Sequence, residues 1–178
     1  MFEILYRITD KEAYLESLDE TAFDNGGDVL GFFAISVNEK CYGHYHDKPL
    51  ETDEFWWERI TDWFTRLILA YKKLCHSEYV SVSDIESDME WIEFKKNQDT
   101  AEVSIVIAEK EEGCTGFRLK PFEKYEYGEW HGESVKLIDI HDELSGKTSK
   151  YLEELRRINS RLLGCSYIAK LDELLYSF

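Results

Sequence analysis

The spacing of apolar and polar residues changes several times along this chain, and each change marks an element. Phe2, Ile4, Tyr6 and Ile8 alternate with Glu3 and Arg7, which predicts an opening strand. Residues 10–18 read as a short helix, with Thr9 or Asp10 as its cap. Asn25-Gly26-Gly27-Asp28 signals a loop. A second strand is predicted over 29–37, and Asn38-Glu39-Lys40 turns it into 41–46 as a hairpin. The longest helical pattern follows at 53–74. There Trp56, Ile60, Trp63, Phe64, Leu67, Tyr71 and Leu74 recur at three- and four-residue spacing and share one face. Asp53 is placed to cap its first turn, and Lys72 and Lys73 suit the negative end of its dipole.

Three further strands are predicted at 79–83, 89–96 and 101–109, with Lys96-Asn97-Gln98-Asp99 turning between the last two. Val103, Ile105 and Ile107 fall on one side of the third, Glu102 and Ser104 on the other. Gly113 and Gly116 bracket a turn, and 117–122 and 125–130 are strand candidates. Beyond His131 the period becomes helical: Tyr151, Leu155, Ile158 and Leu162 make one stripe, and Ile168, Leu171, Leu174 and Phe178 another. This order predicts one α+β domain over 1–178: a mainly antiparallel sheet packed by a long central helix, with C-terminal helices. The length suffices for a substantial core.

Charge changes this picture most. Asp and Glu number 37 against 21 Lys and Arg, a formal net charge of -16 in 178 residues. With 43% hydrophobic and 15% aromatic residues, the acids sit within folding sequence and not in a disordered tail. Such a surface repels nucleic acid and anionic membranes, which are bound through Lys and Arg. It attracts a basic protein and speeds that encounter, although charge also serves solubility alone. The N-terminus lacks the basic and apolar regions of a secretory signal, and no apolar run approaches a membrane span, so cytoplasmic residence is expected. Cys41, Cys75, Cys114 and Cys165 form no CxxC pair and read as reduced thiols.

Candidate chemistry is sparse. His44 and His46 lie two apart on a predicted strand and share a face, but a zinc site needs a third ligand and none stands at a recognisable spacing. Packing at a strand end is the competing account. Cys75-His76 places nucleophile and base on opposite sides of an extended chain, and no GxSxG, P-loop, GxGxxG or HExxH motif occurs. No catalytic residue, metal ligand or cofactor is therefore assigned. Asp84, Glu86, Asp88 and Glu90 alternate, so an extended segment would project several carboxylates together. These four are the first choice for a protein-binding patch, weighed against a charged sheet edge and a paired-carboxylate hydrolase. Glu109, Glu111 and Glu112 are the second choice. Glu123, Glu126 and Glu129 alternate with Tyr125, Tyr127 and Trp130, a mixture able to meet Lys and Arg by ion pairing and cation–π contact. Trp57 falls off the helical stripe and is a candidate surface anchor.

Two stretches carry a family resemblance. Gly31-Phe32-Phe33-Ala34-Ile35-Ser36-Val37-Asn38, followed by Tyr42-Gly43, leads into the Trp-rich helix ending Asp62-Trp63-Phe64. Asp84-Ile85-Glu86 later leads to Trp91-Ile92-Glu93-Phe94. Together, over residues 28–130, they resemble immunity proteins of bacterial polymorphic toxin and contact-dependent growth inhibition systems. The resemblance implies a small cytoplasmic protein that neutralises one cognate toxin domain, often a nuclease, by covering its basic substrate-binding surface. It carries over no catalytic residues. The alternatives are a small metal- or carboxylate-dependent hydrolase and an acidic module that mimics nucleic acid.

Overall fold

A computed structural model describes residues 1–24, 27–51, 57–109, 116–128 and 130–178. Its strands are β1 (Phe2–Ile8), β2 (Leu30–Val37), β3 (Lys40–His44), β4 (Glu58–Arg59), β5 (Tyr79–Ser83), β6 (Glu90–Asn97), β7 (Thr100–Ile107), β8 (Phe117–Arg118), β9 (Glu126–Tyr127) and β10 (Glu133–Lys136). Its helices are α1 (Glu12–Ser17), α2 (Ile60–Cys75), α3 (Leu137–Ile158) and α4 (Ser166–Tyr176), with a 3-10 turn at Ser160–Gly164. The architecture is α+β, with all strand pairing among the described residues antiparallel. It comprises two sheets, where the hydrophobic pattern had predicted a single one. The first runs β1-β2-β3, with β4 taking up the edge of β2 that β3 leaves; the second runs β10-β7-β6-β5-β8, with β9 also on β7.

The β2–β3 hairpin follows directly from its turn. Val37 pairs with Lys40, leaving Asn38 and Glu39 as a two-residue loop. Both have positive φ, 50° and 72°, as a right-twisted hairpin requires. Asn38 then ties the tip to the second sheet, donating from Nδ2 to the Glu133 carboxylate and the Ser134 carbonyl, each at 3.2 Å. Lys40 adds an ion pair to Glu133 at 2.7 Å.

Helix α2 lies at the centre and buries Ile60, Trp63, Phe64, Leu67, Ile68 and Leu74. Around it, Trp63 stacks on Phe33 at 5.4 Å, while the edge of Phe64 meets Phe33 at 5.3 Å. Phe64 also stacks on Tyr151 of α3, and Tyr6 of β1 meets both rings edge-on. One continuous core thus draws on both sheets and on α2, α3 and α4. Outer-edge groups of β1 are partly covered, since the Ile4 amide donates to the Glu143 carboxylate of α3 at 2.8 Å.

Several boundaries differ from the pattern-based expectation. The helix expected from residue 53 begins at Ile60, because Glu58 and Arg59 pair with Gly31 and Leu30 as a strand. Asp53 and Trp56 lie outside the described residues. The cap of α2 comes from afar: buried Asp28 accepts the Thr61 amide at 3.3 Å and the Asp62 amide at 3.0 Å. Asp10 does not cap α1 but accepts the Leu30 amide at 2.8 Å. The candidates at 117–122 and 125–130 contract to the two-residue strands β8 and β9. Residues 133–136, expected to be helical, pair with β7 instead. Strands β9 and β10 are two stretches along one edge of β7, with Gly132, at φ 69°, directly before β10. No helix among the described residues is long and apolar enough to cross a membrane.

Candidate functional site

A groove of about 960 Å³ opens at the end of β7. Buried Ala108 and Phe122 lie at its floor with half-buried Ile107; exposed Met89, Glu109, Glu123, Lys124, Tyr125 and Glu126 surround them. Among the described residues its rim carries three carboxylates against one ammonium.

The backbone places these groups with little freedom. The Ala108 amide donates to the Met89 carbonyl at 2.8 Å, and the Ala108 carbonyl accepts the Trp91 indole N–H at 3.0 Å. Ala108 is thereby held on both sides, which fixes where Glu109 leaves the sheet. Trp91, Val106, Ala108 and Phe122 form a small core of their own beneath the groove. Phe122 meets Trp91 edge-on at 5.0 Å, and the Arg118 guanidinium lies 4.3 Å from the Phe122 ring centroid. Glu126 and Tyr127 pair with Ile107 and Val106, which anchors the far wall. Beside that wall Lys95 donates to the Tyr127 hydroxyl at 3.0 Å and pairs with the buried Glu93 carboxylate at 2.8 Å.

The four carboxylates expected to project together divide into two pairs. Asp84 is buried: its Oδ1 accepts the amides of Glu86 and Ser87 at 2.7 and 2.8 Å, and its Oδ2 accepts the Tyr42 hydroxyl at 2.6 Å. Glu90 is half-buried and reaches the same hydroxyl at 3.1 Å. An Asp at this position serves the turn better than it serves a partner, since its side chain satisfies two backbone donors that have no strand to pair with. Glu86 and Asp88 are exposed. Of the acids chosen from sequence for the two patches, Glu109 lines the groove, whereas Asp84, Glu86, Asp88 and Glu90 do not. Glu111, Glu112 and Glu129 lie outside the described residues.

Tyr42 links β3 to this loop. Burial, then the Asp84 and Glu90 carboxylates, push its hydroxyl pKa far upward, so it stays a proton donor at any ordinary pH. Tyr42→Phe is expected to cost about 1–3 kcal/mol, because the buried Asp84 oxygen loses its donor. Urea denaturation measures the loss, and faster hydrogen exchange at the Glu86 and Ser87 amides locates it.

Of the remaining sequence candidates, His44 and His46 pack against the core. His44 and His46 flank buried Phe32 at 5.3 and 4.6 Å, with their own centroids 5.8 Å apart. Gly43, within β3, has φ 92°, and a Cβ there would meet the Phe33 carbonyl oxygen at 2.4 Å. Among the described residues no group of three or more His, Cys, Asp or Glu side chains is placed to hold a metal ion. Cys75 and His76 close α2, and Cys41, Cys75 and Cys165 are unbridged. Trp57 is exposed. Sequence reasoning found Glu109, Glu123, Tyr125 and Glu126 but not the floor formed by Ile107, Ala108 and Phe122, which no local pattern links. Comparison with family models, curated proteins and solved structures returned no match to this chain.

Proposed function

We propose that this chain is an immunity protein that binds one cognate bacterial toxin domain, a nuclease, and neutralises it by covering its basic substrate-binding surface. The observation that carries this reading is the acidic groove: Glu109, Glu123 and Glu126 ring an apolar floor on a folded molecule of net charge -16. The resemblance over residues 28–130 supports it. Glu86 and Asp88 are further exposed acids outside the groove. In this reading the protein acts in the cytoplasm as a stoichiometric binder, with no catalytic step and no cofactor. Long-range attraction brings the basic partner in, and contacts across the groove face exclude its nucleic acid by occupying the same positive field.

Co-expression with the neighbouring upstream reading frame tests the proposal. Rescue of growth and co-purification of the two chains are the expected results. The association rate should fall about tenfold or more between roughly 10 mM and 500 mM salt, as exposed charges are screened. A toxic neighbour that neither co-purifies nor is neutralised overturns the reading.

A further inference from the structure

We propose that the groove between Met89, Glu109, Phe122 and Glu126 seats arginine side chains of the partner, and that Tyr125 makes it prefer arginine to lysine. This rests on the reading of the chain as a binder of a basic protein. Three features specify the occupant.

The described rim places Glu109, Glu123 and Glu126 with Lys124 around one cavity, a net negative lining that favours a cation. The floor is apolar, with Phe122 only 7% exposed, so the cation must arrive on an apolar stem. Aromatic rings here hold cations: Phe122 carries the chain's own Arg118 guanidinium at 4.3 Å and Tyr127 its Lys95 at 5.5 Å, which leaves Tyr125 for an incoming one. Tyr125, 39% exposed and edge-on to Tyr127 at 5.3 Å, lines the same groove between Glu123 and Glu126. A planar guanidinium can lie on that ring while bonding to carboxylates in its own plane. An ammonium, a compact and strongly hydrated charge, gains less from the ring and cannot form the paired fork. The volume, about 960 Å³, accommodates a segment of several residues more readily than a single side chain.

Isothermal titration with tetra-arginine and tetra-lysine peptides at one fixed low salt concentration tests this on the whole protein. Tetra-arginine is expected to bind about tenfold more tightly than tetra-lysine. Tyr125→Ala should weaken tetra-arginine about tenfold and tetra-lysine less than about threefold. The triple variant Glu109→Gln, Glu123→Gln, Glu126→Gln should weaken both peptides and flatten their salt dependence. All these positions are exposed, so unchanged thermal unfolding verifies that each variant is folded. Equal affinity for the two peptides, or full tetra-arginine binding by both variants, overturns the proposal. Growth rescue separates it from the broader reading. Variants that neutralise the toxin as well as the parent chain does sink the groove and spare the immunity function. Peptide discrimination without any neutralisation by the parent chain sinks the immunity function and spares the groove.

Discussion

Phe64→Ala is expected to lower the free energy of unfolding by about 3–5 kcal/mol. Phe64 is fully buried and its ring is shared among three others: Phe33 at 5.3 Å, Tyr6 at 5.4 Å and Tyr151 at 5.3 Å. Those rings belong to β2, β1 and α3, so collapse into the cavity would require three elements to move toward α2 together. A close-packed interior resists that, and most of the cavity should persist. Against a typical total of about 5–15 kcal/mol the variant would be marginal. Urea denaturation with an unchanged slope measures the loss. Phe64→Leu, which refills part of the space, should recover about half of it. A loss below about 1 kcal/mol would show that the rings close up after all.

The second large effect is a dependence on pH. Burial pushes the Asp28 carboxyl up from 3.8 to about 6, despite the Thr61 side chain, the Asp62 and Val29 amides and Arg59, which all favour the ionised form. The folded state therefore holds this proton more tightly than the unfolded state does. Asp28's contribution is complete below pH 3.8 and is lost as pH rises through about 6. A shift of about two units corresponds to about 3 kcal/mol. Many other carboxylates titrate in the same range, so the comparison with Asp28→Asn isolates the effect. The stability of the parent chain minus that of the variant should fall by about 3 kcal/mol between about pH 3.5 and pH 7. A difference that stays flat across that interval would mean that Asp28 titrates like an exposed carboxylate.

Asp28 also shows where a sequence stops being readable. The stripe through Ile60, Trp63, Phe64, Leu67 and Leu74 and the alternation in β6 and β7 are local periodicities, and they place α2, the hairpins and the α+β class directly. Capping of α2 is not local: its acceptor, Asp28, stands beyond an intervening hairpin, whereas spacing alone points to Asp53, close by in sequence. Asp84 presents the same difficulty. Alternating acids resemble an exposed edge until Tyr42, from the other sheet, reaches the carboxylate. Strand β10 carries only a four-residue pattern, Glu133 to Lys136, which the strong helical signal following it obscures. Its strand form comes from pairing with Thr100 to Val103. Glu123, Tyr125 and Glu126 could be recognised as chemistry in the sequence, whereas the floor beneath them is assembled by tertiary packing alone.

The pairing of β1 with α3 has a consequence for how the protein is made. Ile4 and Glu143 are bonded across 139 residues, and Tyr6 and Glu154 across 148. The core around Phe64 lacks its Tyr151 wall until most of the chain exists. Such long-range closure slows folding and leaves the first hairpin without its cover during synthesis. Stopping translation anywhere before α3 would leave an aromatic face of Phe64 and Tyr6 open to water, so this core closes only once the chain through Tyr151 has been made.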